Sequence, residues 1–378
     1  MFGKRITLFK LLGFAVHVDL SWIILALLVT WSLAVGLFPY ALPGLSPAAY
    51  WLMGAAGAAG LFLSIVFHEL FHSLVARRFG LPMKGITLFI FGGVAEMDDE
   101  PPGPKAEFFM AVVGPLSSVA LAAVFYLAAG IAGAYGETAP VAEVLGYLAL
   151  INLVLAIFNL LPAFPLDGGR VLRSLLWQWK KDLRWATRIA ARIGSGFGLV
   201  IIFFGIVNLI RGNFIGGIWQ SMIGMFLRSA AEMSYQQVVI RRALEGATVA
   251  QFMNRDPVTA SPSITVRELV EDLVYQYHHK MFPVTDRGRV LGCVTTRRVK
   301  EVPRAEWDRR TVGDIADECT AENTIGPATD ALKALALMNR TGNSRLMVMD
   351  GERLVGIISL KDIMGYLSVR MDLGDEED

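Results

Sequence analysis

The sequence predicts a polytopic α-helical membrane domain of about six transmembrane helices with a small membrane-associated β element, followed by a soluble α/β domain built as a tandem repeat. Three observations predict this. Hydrophobic residues make up 54% of the 378 positions and charged ones 18%, against about 25% charged in a typical soluble protein, and mean hydropathy is +0.49. Of the Asp, Glu, Lys and Arg residues, 41 lie in the last 138 positions, so a hydrophobic body precedes a water-soluble tail, with the boundary near Arg241. Third, the tail contains two similar halves. An ordinary soluble enzyme is excluded, and the net charge of +1 exerts no general pull toward nucleic acid.

Crossing about 30 Å of hydrocarbon takes about 20 apolar residues. Candidate spans are residues 21–38, 49–75, 108–135, 141–164, 197–210 and 214–226, the last two being short. Lys and Arg accumulate on the cytoplasmic side. Lys4, Arg5 and Lys10 precede the first span, and Arg77, Arg78 and Lys84 follow the second. Lys180, Lys181, Arg184, Arg188 and Arg192 lie between the fourth and fifth, and Arg228 follows the sixth. All agree with a multi-pass protein of the cell membrane, with its N-terminus and tail in the cytoplasm. The basic residues at the start lead into an apolar stretch too long for a cleavable signal, without a small-residue cleavage site. Cys293 and Cys319, both in the tail, imply no disulfide framework and suit a reducing cytosol.

Residues 85–95, GITLFIFGGVA, are apolar but short, rich in Ile, Thr, Phe and Val, and closed by paired glycines. They read as a strand or hairpin beside the membrane. Such backbone survives at membrane depth only when buried in protein or lining a wet cavity. In the tail, TVAQFM (248–253) corresponds to TVGDIA (311–316), and FPVTDRGRVLGCVT (282–295) to LMVMDGERLVGIIS (346–359). Each half reads as a β-α-β-β-α unit. The expected domains are 1–240, 247–306 and 307–370.

Within the second span stands SIVFHELFHSLVARRFG. His68, Glu69 and His72 form an H-E-x-x-H pattern. Residues four apart on a helix lie about 40° apart around its axis, so both imidazoles leave one face and can grip one Zn²⁺. Glu69 is left beside them to act as general base. The setting strengthens the signal, because a charged residue in hydrocarbon costs about 2.5–3.5 kcal/mol or more and needs compensation. Helix rise places His68 roughly 14 Å from Arg77, inside the membrane but nearer the cytosol.

A catalytic zinc takes three protein ligands and leaves the fourth position open. The other histidines are His17, and His278 and His279 in the tail, so a carboxylate is sought within the membrane. The fourth span ends NLLPAFPLDGGRVLR. It carries Asp167 to the cytosolic end, where the flanking prolines and glycines would bend the chain and turn Asp167 inward. Asp167 can equally be a helix-terminus cap or an Arg170 partner.

HELFH in one span and NLLPAFPLDGGR in a later one together resemble the site-2 protease family of intramembrane zinc metalloproteases. The pairing is far more specific than either motif alone. The resemblance implies one Zn²⁺ per chain bound by His68, His72 and Asp167, Glu69 as general base, and Asn159 in contact with substrate or transition state. GPLSS (114–118) resembles another family element, whose small residues would let neighbouring spans approach closely. The resemblance also implies that residues 85–95 form a β element whose edge binds an unwound substrate by strand addition. VHVDLSW (16–22) stands where an interfacial strand is often found, with His17 an interfacial residue. The tail halves resemble a tandem cystathionine-β-synthase (CBS) pair, which commonly binds adenine nucleotides. Gly356, Ser359 and Asp362 match its G-x-x-S-x-x-D element, whereas in the first half Gly292 and Thr295 are followed by Arg298 where the Asp should stand. The nucleotide-binding expectation therefore rests on Gly356, Ser359, Asp362 and Thr295, with ATP or AMP as regulator and one competent site rather than two. The acidic end GDEED (374–378) reads as a solvated tail.

The function expected from these features is an intramembrane zinc endopeptidase acting within or near transmembrane segments of substrate proteins. Such substrates include anti-sigma factors and membrane-tethered pro-proteins. The CBS pair would modulate it and join two copies as a homodimer. The alternative is a CBS-regulated channel or divalent-metal transporter using the same His/Glu/Asp cluster, which needs neither a base at position 69 nor a strand-like edge at 85–95.

Overall fold

The structure is a computed structural model describing residues 5–81, 83–90, 92–97, 100–134 and 136–374. Lys4 and the last four residues of the acidic end lie outside the described residues. The chain divides into two compact units, Met1–Gln236 and Gln237–Asp378.

The first unit opens with β1 (Arg5–Leu11) and β2 (Phe14–Asp19). Asp19 then caps helix α1 (Leu20–Ser32) by accepting the Ser21 N–H. A π turn at Leu33–Leu37 joins α1 to α2 (Phe38–Ala41), making one apolar rod over Leu20–Ala41. Helix α3 (Pro47–Arg78) begins at Ser46, whose hydroxyl accepts the Ala49 N–H, and ends with Arg77 and Arg78 beside its carbonyl terminus, the favoured end for cations. The segment expected to be a hairpin is one: β3 (Met83–Phe89) and β4 (Gly92–Met97) pair antiparallel. The four strands form one sheet in the order β1-β2-β3-β4, with β2 and β3 parallel, so β4 is an edge. Alternation explains its seat: Phe14, Val16 and Val18 of β2, with Ile86 and Leu88 of β3, pack on Val66 and Leu70 of α3. The sheet thus lies against the stretch of α3 that carries His68 and Glu69.

Helices α4 (Pro104–Gly133), α5 (Ala139–Asn159), α6 (Asp167–Lys180), α7 (Leu183–Ile210) and α8 (Phe214–Leu244) follow. Among the described residues, five helices are long and apolar enough to cross a membrane: Leu20–Ala41, α3, α4, α5 and α7. Only 11–39% of each apolar window is buried, so most of that surface faces outward, as suits lipid rather than water. The fifth expected span, 197–210, is the end of a 28-residue helix. Arg184, Arg188 and Arg192, expected in a connection, fall inside its first turns because their four-residue spacing keeps them on one side of the helix; the Arg188 Nε donates to Tyr235 Oη of α8.

The sixth, 214–226, opens the 31-residue α8, whose remainder carries Arg228, Glu232, Arg241 and Arg242. That polar half keeps α8 out of the set of five. Its apolar half packs antiparallel on α7 at backbone range: a Cβ on Gly198 would lie 2.7 Å from Gly224 O, and one on Gly217 would lie 2.7 Å from Gly205 O. Glycines spaced seven residues apart on both helices permit this approach.

In the second unit, β5 (Met281–Asp286), β6 (Arg289–Thr295) and β7 (Asp317–Glu318) form one sheet. The other sheet holds β8 (Thr324–Ile325), β9 (Arg345–Asp350) and β10 (Arg353–Ser359). Helices α9 (Val266–Glu268) and α10 (Tyr275–Tyr277), joined by a π stretch, and α11 (Thr296–Glu301) serve the first half. Helices α12 (Val312–Ile315), α13 (Ala331–Thr341) and α14 (Leu360–Gly374) serve the second. The halves are not independent beads. Val249 and Phe252, which open the first half, are buried with Leu346, Val348 and Ile358 of the second. Val312, which opens the second, is buried with Phe282, Val284 and Val294 of the first.

Candidate metal centre

Two helices bring three side chains together inside the first unit. His68 and His72 leave one face of α3 and are both buried. Asp167 is the first residue of α6 and is 8% exposed. His68 Nε2 lies 3.1 Å from Asp167 Oδ2, His72 Nε2 lies 3.2 Å from the same oxygen, and the two Nε2 atoms are 3.1 Å apart.

The turn before α6 explains how Asp167 gets there. α5 ends at Asn159, and residues 160–166 fold back over the start of α6. A side chain on Gly168 would overlap the carbonyls of Leu160 and Leu161, and one on Gly169 would overlap Phe164. The paired glycines are thus a steric requirement of the turn. Asp167 also sits at a helix N-terminus, where a carboxylate is favoured. The alternative partner Arg170 turns elsewhere, its Nε 4.0 Å from Glu107 Oε1.

The geometry fits a divalent cation. Ligands at about 2.0 Å around a tetrahedral zinc stand about 3.3 Å from one another, close to the 3.1–3.2 Å edges found here. Lone pairs converging at such distances repel one another unless a cation or a shared proton lies among them. Among the described residues this is the group of three or more His, Cys, Asp and Glu able to hold a metal ion. Two imidazoles and a carboxylate suit zinc.

Glu69, one residue after His68, is partly exposed. Its stem passes β4, where a Cβ on Gly93 would lie 2.8 Å from Glu69 Cγ. Asn159 is partly exposed, and its Nδ2 donates to Leu155 O of its own helix. His17 sits on β2 with Nδ1 3.0 Å from Thr7 Oγ1.

Sequence reasoning missed several partners of the cluster. Ser118 Oγ lies 2.9 Å from His68 Nδ1, and Met110 O lies 2.5 Å from His72 Nδ1. The Arg173 Nε donates to Glu107 Oε1 at 2.6 Å, and Arg173 Nη2 pairs with the same oxygen. The available signal was the spacing of Glu107, Gly114 and Ser118, which share one face of an apolar helix. A backbone carbonyl such as Met110 O leaves no mark in sequence.

In the second unit a cavity of about 560 Å³ is lined by Thr295, Arg298, Asp317, Asn323, Asn343 and Arg345, among others. Thr295 is one of the expected nucleotide residues. Gly356, Ser359 and Asp362 do not line this cavity. Ser359 Oγ donates to Asp362 Oδ2 at 2.6 Å, closing the start of α14, and Gly356 lets the backbone of Asn254 approach. Arg298 is held by Asp317 Oδ1, 2.8 Å from Nε, and by Glu301 Oε2, 3.1 Å from Nη1. Burial and the Asp317 charge push the Cys293 thiol up to about 11, so it stays protonated at neutral pH and is a poor nucleophile.

Comparison with known proteins gives the same division of the chain. Residues 56–136 and 129–205 match the profile of peptidase family M50, and residues 249–304 and 312–369 match the CBS domain. Rip3 of Mycobacterium tuberculosis, named a zinc metalloprotease, is 36% identical over 366 residues, covering 96% of this chain and 93% of its own length. A Synechocystis protein also named a zinc metalloprotease is 32% identical, covering 97% of this chain and 96% of its own. The solved structure of the site-2 protease from Methanocaldococcus jannaschii is 29% identical, covers 61% of this chain and 94% of that one, and superposes with a TM-score of 0.42.

Proposed function

The chain belongs to peptidase family M50, the site-2 proteases, and from that premise we propose that it cleaves peptide bonds within or next to transmembrane segments, with His68, His72 and Asp167 holding one Zn²⁺ and Glu69 as general base. It is a multi-pass membrane protein and a site-2-type zinc metalloprotease with a CBS pair. The observation that carries the assignment of residues is the convergence of three buried ligand atoms at 3.1–3.2 Å.

Bound there, Zn²⁺ supplies Lewis-acid activation of water and of the scissile carbonyl. Glu69 takes the proton of the attacking water and returns it to the departing amine. The edge strand β4 passes Glu69, and a substrate segment added to that edge lies extended, its peptide bonds stripped of helical shielding. Asn159 contacts that segment through its side-chain amide. The substrate is a membrane-spanning protein, of the kind represented by anti-sigma factors and membrane-tethered pro-proteins. The first half of α8 supplies the sixth crossing and returns the chain to the cytoplasm, where the basic clusters also put the N-terminus.

Purified full-length protein is expected to cleave a generic transmembrane substrate in detergent. A chelator removes that activity and Zn²⁺ restores it. Bound metal with no cleavage of any transmembrane substrate would instead favour transport.

The CBS pair adds regulation and dimerisation. Its cavity at Thr295 is large enough for a nucleotide, and ATP or AMP held there changes the cleavage rate. ATP is expected to bind the purified protein and shift the rate severalfold. No binding and no rate change would remove this role.

A further inference from the structure

The three candidate ligands come from two helices, yet all of them lean on a third. α4 carries Glu107, Met110, Gly114 and Ser118, all buried. Steps of three or four residues bring these positions onto one face of the helix. Each meets the cluster differently. Met110 offers a carbonyl to His72 Nδ1, Ser118 offers a hydroxyl to His68 Nδ1, and Gly114 stands against both Nε2 atoms. Glu107 grips Arg173 of α6, the helix that Asp167 begins.

We propose that this face of α4 orients the ligand set, with Ser118 and Glu107 as positioning residues for the metal site. The inference rests on the zinc reading above and deepens it.

A carbonyl oxygen can only accept a hydrogen bond. The 2.5 Å contact with Met110 O therefore puts the proton of His72 on Nδ1 and leaves the Nε2 lone pair facing His68 and Asp167. Ser118 Oγ, 2.9 Å from His68 Nδ1, is a hydroxyl that either donates or accepts; when His68 offers Nε2 to a metal, the hydroxyl accepts a hydrogen bond from Nδ1–H. Both rings are thus held with Nε2 toward one point. A ring without such a partner turns and exchanges tautomers freely.

Asp167 needs a different device, because its place depends on where α6 sits. Glu107 has no exposed surface, and Arg173 is buried with it. The Arg173 guanidinium also stands 5.0 Å from the centre of the Phe164 ring. One side chain of α6 thereby reaches both α4 and the turn before Asp167. A buried ion pair recovers little net stability after desolvation, so stability is a weak reason for placing one here. A geometric role accounts for it.

The test uses full-length protein in detergent. Zinc affinity is measured by chelator competition, unfolding of the metal-free form by heating, and kcat and KM at saturating zinc. Ser118→Ala is expected to weaken zinc binding about 10–100-fold, with unchanged metal-free unfolding and unchanged KM; Ser118→Thr restores it. Ser117→Ala serves as a control, because the Ser117 Oγ donates to Gly114 O of its own helix, and is expected to bind zinc as the parent does.

Glu107→Gln strands a buried guanidinium and can fail to fold. The double variant Glu107→Gln, Arg173→Gln removes both charges and is expected to fold with zinc affinity lowered at least tenfold. Parent-like zinc affinity in Ser118→Ala would overturn the role of Ser118, and parent-like affinity in the folded double variant would overturn that of Glu107. Failure of the unsubstituted protein to bind zinc would instead overturn the underlying reading of the site.

Discussion

Glu69→Gln is expected to lower kcat by about 10²–10⁴-fold, the usual contribution of a positioned general base, while the protein keeps its zinc. The two halves of that expectation have separate reasons. Glu69 is outside the group of converging ligand atoms, so an amide in its place leaves both imidazoles and the Asp167 carboxylate as they are. It is nevertheless adjacent to His68 on α3 and partly exposed, with its stem against β4, which puts its carboxylate within reach of a substrate lying along that edge. An amide keeps the size of the side chain and removes only its basicity. Cleavage of a transmembrane substrate by both proteins, with metal content determined on each, checks the result. Equal cleavage by parent and variant would overturn the role of Glu69, and loss of zinc together with activity would place Glu69 among the ligands instead.

Gly114→Ala is expected to abolish zinc binding and cleavage together. In an ordinary helix interior this substitution stabilises by about 0.5–1 kcal/mol, since alanine is the better helix former. Here sterics outweigh propensity. The new methyl would overlap His72 Nε2 and lie 2.7 Å from His68 Nε2, occupying the point at which the ligands converge. Either α4 retreats or the imidazoles turn away, and both separate the ligand atoms. Zinc affinity should fall by more than the roughly 10–100-fold typical of losing a hydrogen-bond partner of a ligand. Gly130→Ala on the same helix meets nothing within 4 Å and should leave zinc and cleavage untouched. Zinc titration of both variants measures the contrast. Parent-like zinc binding by Gly114→Ala would mean that α4 does not stand this close to the cluster.

Much of the architecture was legible because its causes are local. Apolar length marked α3, α4 and α5, and a short apolar run rich in Ile, Thr, Phe and Val, closed by a glycine pair, marked the β3–β4 hairpin. The limits of α7 and α8 were not legible. Apolar length stops at the first charges, whereas both helices continue through them: Arg188 reaches Tyr235 across the pair, and Arg228 pairs with Glu232 along α8. The repeat in the tail was visible as sequence. The exchange of leading segments between its halves was not, because either half could have buried Val249 or Val312 in its own sheet.

Within the site, H-E-x-x-H was readable because helical periodicity alone brings His68 and His72 to one face. Asp167 was readable only as one of several roles, since nothing local distinguishes a ligand from a cap or from a partner of Arg170. The sequence by itself therefore determined the family, the membrane character, the pair of histidines and the β element beside them. Each follows from spacing along one segment or from a motif pair that chance seldom produces. Only the tertiary structure decided that Asp167 faces the histidines, that Arg170 and Arg173 turn to Glu107, and that one face of α4 stands against the histidines. Those choices depend on which helices pack together and how closely. Glycines at 114, 168 and 169 set those distances by the absence of a side chain, and such an absence acquires meaning only when something lies opposite.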